Sequence, residues 1–235
     1  MEEIHGNTEH VVVGNGSKSV ARKVFGSKTA YIFGVAIVAV IAAVIVVKLG
    51  TGNDKPQTNS KNPVVVAYQQ KLPSLEKAVK AKPNDADARV AYAQALYVTG
   101  DKTAAETQYK EAAKLDPKNP TTQNNLGNTY RDLGDYTAAQ AAYRQAIKLN
   151  PTSQNAYVNL ANLQIYTLHK PADGIATYQE AISKIGAAPQ FELLLGLAYE
   201  QNGQNDKAEA TYKAILSKDP ANQAAKDNLS RLQKS

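Results

Sequence analysis

Between Asn124 and Pro151 the apolar residues fall at intervals that suit two short helices packed back to back. Leu126, Gly127 and Tyr130 share one helix face, Ala139, Tyr143 and Ala146 share another, and Gly134-Asp135 lies between them. Residues three and four apart stack on one side of a helix. Small residues at Gly127, Ala139 and Ala146 let the two backbones approach while Tyr143 fills the seam. The pattern recurs as Tyr92, Ala93, Leu96, Ala105, Tyr109 and Ala112, as Tyr157, Leu160, Ala161, Tyr178 and Ala181, and as Leu195, Gly196, Tyr199, Ala208 and Tyr212. Pro83, Pro117 and Pro151 each stand 34 residues apart, and Pro220 keeps the phase after two periods plus one residue. A period of this length marks a solenoid of helical hairpins, each too small to bury its own face without a neighbour.

The punctuation agrees. Gly100-Asp101 and Gly134-Asp135 pair a residue that ends one helix with one that caps the next, and Gly203 ends the corresponding helix near the C-terminus. Asp116-Pro117, Asn150-Pro151 and Asp219-Pro220 stop the second helices, because a residue before proline avoids the helical region. The third unit is one residue longer. The extra residue is expected at the turn His169-Lys170-Pro171, with Gly186 in place of the closing proline. Upstream, Val64 to Lys82 reads as two helices, with Pro73 in the first turn of the second. Downstream, residues 223–235 read as a terminal helix with Leu229 and Leu232 on one face and a polar exterior, the closure a solenoid needs.

At these residues the chain resembles the tetratricopeptide repeat (TPR) family, whose pattern W-x₂-L-G-x₂-Y…A-x₃-F…P has the same period. The resemblance implies an all-α TPR solenoid over residues 64–235. It divides into a half-repeat at 64–85, full repeats at 86–119, 120–153, 154–188 and 189–222, and the C-terminal capping helix at 223–235. No Trp occurs; Arg89, Gln123, Tyr157 and Glu192 take its place.

The N-terminal quarter follows other rules. Residues 1–28 are polar and end basic (Lys18, Arg22, Lys23, Lys28), the composition of a disordered tail. Ala30 to Val47 carries no charge, and its 18 residues reach the length of about 18 that spans a bilayer. One transmembrane helix is therefore expected at 29–49, bracketed by Lys28 and Lys48, with Tyr31 at the interface. The run exceeds a signal h-region and lacks a small-residue cleavage site after it. Residues 50–63 have linker composition. Four basic residues before the span against three after it place the N-terminus in the cytoplasm and the repeats outside it, by a margin of one. The localisation expected is thus a single-pass membrane protein.

Charge and chemistry narrow the function. The net charge of +6 divides evenly, since residues 1–63 hold 7 basic and 4 acidic side chains and residues 64–235 hold 20 and 17. No basic stripe suggests a nucleic-acid partner. With no cysteine, disulfides and thiolate metal sites are excluded. His5 and His10 sit in the polar tail and His169 in a turn, none beside a nucleophile or a second ligand. No convergent acid–base set appears, so neither an enzyme nor a cofactor is expected.

What remains is a binding surface. In TPR proteins the first helix of each repeat lines a concave groove, and the resemblance implies the same here. With Leu126, Gly127 and Tyr130 used for packing, Asn124, Asn128 and Arg131 face that groove. One period later come Val158, Asn162 and Ile165 beside Asn159 and Asn155; one period earlier come Val90, Gln94 and Tyr97; the last repeat contributes Leu193, Leu197 and Glu200. The groove expected is a ladder of carboxamides with an apolar patch at one end. Carboxamides donate and accept, so they pair with the main chain of an extended peptide, while Leu193 and Leu197 receive an apolar anchor. Solvated amides with no ligand are the plain alternative. Val90 stands where a carboxylate clamp would need a lysine. The partner expected is a protein or extended peptide, with the lipid bilayer contacting residues 29–49. Self-assembly as an oligomer and service as an accessory subunit of a membrane complex (secretion, envelope biogenesis or import) stay open beside it.

Overall fold

The structure, a computed structural model, describes residues 62–234. The expected tail, membrane span and most of the linker lie outside the described residues. Among those described, no helix is long and apolar enough to cross a membrane. Over the described residues ten α-helices and one π-helical segment follow one another without a strand: α1 (Pro63–Ala81), α2 (Ala86–Thr99), α3 (Lys102–Leu115), α4 (Pro120–Leu133), α5 (Tyr136–Leu149), α6 (Gln154–Asn162), the π-segment Leu163–Thr167, α7 (Pro171–Ile185), α8 (Pro189–Gln201), α9 (Asn205–Lys218) and α10 (Gln223–Leu232).

The helix ends are built from the residues that the pattern singles out. Asp101 accepts from the Ala104 N–H at 3.0 Å and Asp135 from the Ala138 N–H at 2.9 Å. Each such cap stabilises its helix by about 1 kcal/mol. Gly100, Gly134 and Gly203 adopt φ of 102°, 87° and 69°, the left-handed conformation that closes a helix. In repeat three this duty falls to His169, at φ 55°, a conformation uncommon for a residue with a side chain.

Each hairpin is closed by one tyrosine of its second helix. Tyr109, Tyr143, Tyr178 and Tyr212 are all at least 98% buried, and Tyr143 and Tyr212 lie against glycines of the first helix. A Cβ on Gly127 would stand 2.5 Å from the Tyr143 ring, so glycine is required at that backbone position, and Gly196 meets the Tyr212 ring in the same way. The alanines at 105, 139, 112, 146 and 181 are fully buried.

Two expectations about local structure are corrected. Helix α1 is continuous from Pro63 to Ala81 and passes through Pro73 instead of breaking there. Pro73 lies on the exposed side, where the carbonyl it leaves unbonded meets water. The second correction concerns the extra residue of repeat three. The main-chain bond that ends the first helix spans five residues in the other repeats: Asp101 N–H to Leu96 O, Asp135 N–H to Tyr130 O, Gln204 N–H to Tyr199 O. In repeat three it spans six, from Lys170 N–H to Gln164 O at 2.7 Å. The insertion thus lies between those two residues and is absorbed as the π-helical turn Leu163–Thr167, with Leu168 N–H bonded to Leu163 O, ahead of the turn at His169. A single inserted residue is what a π-turn accommodates.

Candidate functional site: the inner face of the repeats

The first helices α2, α4, α6 and α8 set the groove residues side by side. Their amides do not stand free. Asn159 donates to Asn124 Oδ1 at 2.9 Å, linking repeat three to repeat two, and Gln190 donates to Gln154 at 2.8 Å between repeats four and three. Asn128 Oδ1 accepts from the Tyr143 hydroxyl at 2.8 Å, and Asn162 Oδ1 accepts from Tyr178 at 2.9 Å. The free ladder of donors and acceptors expected at Asn124, Asn128, Asn159 and Asn162 is corrected accordingly. One carboxamide oxygen in each tyrosine pair is already committed to a buried phenol.

This also explains why asparagine, a weak helix former, recurs at Asn128 and Asn162. A buried hydroxyl without a partner costs about 1–3 kcal/mol. Where the equivalent residue cannot accept, the tyrosine turns elsewhere. Leu197 occupies that position in repeat four, and Tyr212 donates instead to Glu200 Oε1 at 2.5 Å. Glu200 also receives both guanidinium nitrogens of Arg231 from the terminal helix, at 2.7 and 2.9 Å. Burial first, and then Glu200, raise the Tyr212 phenol above its ordinary range.

At the other end, Gln94, Tyr97 and Asn128 line a shallow cleft of about 160 Å³ with Val98, Tyr109 and Asn125. Tyr97 donates to Asp132 Oδ2 at 2.6 Å, while Arg131 and Lys102 pair with the same carboxylate at 2.8 and 3.2 Å. Burial alone would raise the Asp132 carboxyl; the Tyr97 bond and the two cations hold it below the usual carboxylate range.

The apolar patch differs from the one expected. Leu193 packs partly against the core, whereas Leu197 is half-buried outside it. Ile165, expected in the groove, is 95% buried. The π-turn shifts the register, so Tyr166 takes the place held by Tyr97, Arg131 and Glu200 in the other repeats, and it is 42% exposed. Partial burial and then the Glu200 charge raise its phenol. Strict counting by 34 overlooks Tyr166; counting backward from Tyr178 finds it.

Three repeat patterns, matched over four stretches, agree with this geometry. The family described as TPR repeat matches residues 127–165, and tetratricopeptide repeat patterns match 72–120 and 166–224, and 108–141. The matched residues run without a break from 72 to 224, and this part of the chain belongs to the tetratricopeptide repeat family. Among solved structures, the chain is similar to the MamA protein (23% identity, TM-score 0.58, 69% of this chain and 88% of that one). It is also similar to YrrB, titled a TPR protein with an unusual peptide-binding site (20% identity, TM-score 0.53, 68% and 81%). PilF of Pseudomonas aeruginosa aligns at 21% identity and TM-score 0.58, covering 72% and 77%. At these identities the likeness is one of fold. No curated protein matches the chain.

Proposed function

We propose that this TPR protein is a membrane-tethered adaptor that holds a protein partner, through an extended segment, in the groove formed by α2, α4, α6 and α8. The observation that carries this reading is the set of inner-face side chains that packing does not cover: Gln94 and Tyr166 are exposed, and Leu197 and Arg131 are half-buried. A repeat that needed only to stack would cover them or make them plainly charged. The solved TPR protein described by its peptide-binding site supports a peptide as ligand. The tether is residues 29–49, from their uncharged sequence; the polar N-terminus then lies in the cytoplasm and the repeats outside it. Tethering raises the effective concentration of a weak groove for partners at the same membrane.

Two measurements test the two halves of the proposal. In sealed vesicles with the cytoplasmic face inward, the repeats are expected to be cleaved by added protease, and cleavage only after detergent opens the membrane would reverse the orientation. Capture from a peptide array by the full chain reads the groove. Leu197→Asp is expected to abolish capture while the helical signal is unchanged; capture unaffected by Leu197→Asp would remove the groove as the binding surface.

A further inference from the structure

Repeat three departs from the period at one place, and that departure alters the groove. In the π-turn the extra residue Ile165 turns into the core, and Tyr166 turns out toward the inner face. Leu197 lies on the next inner helix without joining the core, and Asn162, with its oxygen held by Tyr178, has its amide N–H groups left to donate. Asn162 and Leu197 hold equivalent positions on α6 and α8, and Tyr166 stands one turn beyond Asn162, so the register sets an aromatic ring, an aliphatic side chain and a donor on the same face.

Charge is arranged around these residues with a direction. In repeat four the carboxylate lies deeper than the cation bound to it; in repeat two the Asp132 side chain is more covered than those of Arg131 and Lys102, although Arg131 as a whole residue is less exposed than Asp132. The Asp132 side chain is 21% exposed, against 36% for Arg131 and 37% for Lys102. Glu200 is 10% exposed, against 55% for Arg231. Both carboxylates also accept a tyrosine hydroxyl, so their oxygens are occupied from within the protein. The surface offered to a ligand is therefore the outer side of the guanidinium and ammonium groups. Asp227, which lines a surface pocket on α10 with Arg231 and Lys234, accepts from Gln223 at 2.8 Å.

We infer that the groove selects an extended acidic segment, seating one apolar side chain on Tyr166 and Leu197 with acidic residues on either side, toward Arg131 and Lys102 at one end and Arg231 at the other. The inference rests on the groove reading above and specifies its ligand. Aromatic residues surrounded by polar groups are the usual anchors of such contacts. Arginine at the two ends suits carboxylates, because its fork of donors matches their geometry even when one edge is already paired. Because the two cationic ends are separated by uncharged groove, a ligand with a single acidic cluster satisfies one end only.

The test uses the full chain in detergent micelles and three dye-labelled peptides read by fluorescence anisotropy. The first has a central pair of leucines flanked on both sides by glutamates; the second replaces the glutamates with lysines; the third replaces the leucines with alanines. The first peptide is expected to bind at least tenfold tighter than either other. Tyr166→Ala is expected to weaken it at least fivefold, with Tyr166→Phe close to the parent because the ring is what the leucine meets. Raised salt should weaken the glutamate peptide, since the end contacts are exposed. Equal or tighter binding of the lysine peptide, or an unchanged Kd in Tyr166→Ala, overturns the inference. A random-sequence array run beside it separates the two levels. Neutral or basic sequences that bind and are lost on Leu197→Asp would leave the groove in place and refute only the acidic specificity. An array with no captured sequence would refute the groove as well.

Discussion

Ile165 occupies the space that a side chain on residue 174 would need: a Cβ built on Gly174 falls into the Ile165 side chain. The other repeats carry a fully buried alanine at this point of the seam, Ala105, Ala139 and Ala208. Repeat three thus exchanges an alanine methyl on the second helix for an extra isoleucine on the first. The insertion and the glycine compensate each other. Gly174→Ala is expected to destabilise the protein by about 1–3 kcal/mol through overpacking. Deleting Ile165 alone leaves a void beside Gly174 and costs about 2–5 kcal/mol. The two changes together restore the geometry of the other repeats, so the double variant is expected to be more stable than the two losses added. Denaturant unfolding of the four proteins measures this, and strict additivity would break the link between the two residues.

The Tyr178–Asn162 and Tyr143–Asn128 pairs give a second expectation. Asn162→Ala leaves a fully buried phenol without an acceptor and is expected to cost about 1–3 kcal/mol. For a domain of this size that lowers the melting temperature by about 2–4 °C per kcal/mol. Asn162→Asp keeps the acceptor and is expected to lose less. An alanine variant that melts with the parent would show that the hydroxyl finds another partner, and the asparagines would need a different explanation.

At the C-terminus the Arg231–Glu200 pair fastens α10 to the end of α8. Arg231 is more than half exposed, which limits its worth to about 1–2 kcal/mol. Arg231→Ala is expected to speed amide exchange in Gln223–Leu232 while leaving α2 to α5 as protected as before. Arg231→Lys, which cannot hold both oxygens, should fall between. Uniform loss of protection along the chain would contradict a local fastening role.

The seam tyrosines set the alkaline limit of stability. Burial, then the Glu180 charge, push the Tyr157 phenol up to about 12, and burial foremost raises Tyr109, Tyr143, Tyr178 and Tyr212 as well. A raised folded value favours the neutral form in the fold. The stabilisation is therefore complete below the unfolded value of 10.0 and is lost as pH rises from there through the folded values. Helical circular dichroism and tyrosinate absorbance are expected to change together above pH 10. Ionisation of all thirteen tyrosines near pH 10 with the helices intact would contradict this.

How far the sequence could be read follows from what its signals encode. The hairpins were legible because Gly127, Tyr143, Ala146 and the prolines each obey a steric rule that composition cannot mimic. The continuous α1 was not, because an interior proline normally kinks or ends a helix, and that α1 runs on through Pro73 depends on tertiary contacts of the turns on either side. The inserted residue could be counted but not placed, since a turn at His169-Lys170-Pro171 and a π-turn upstream satisfy the same arithmetic. That ambiguity exchanged Ile165 for Tyr166 in the groove. Helical spacing assigns Gln94, Tyr97, Arg131 and Leu197 to the inner face, and their place there is part of the groove proposal. That Asn128 and Asn162 serve buried tyrosines depends on which side chains meet across the hairpin, fifteen and sixteen residues apart.

The central claim is that the inner face of the repeats holds a partner. Its most direct test is site-specific photocrosslinking of the full chain in cells, with the photoreactive side chain at Leu197 in one protein and at Arg144, exposed on the outer helix α5, in another. The account predicts a discrete protein adduct from position 197, mapped by mass spectrometry to an extended segment, and none from position 144. An adduct from position 144 with none from 197 would place the partner on the opposite face and contradict it.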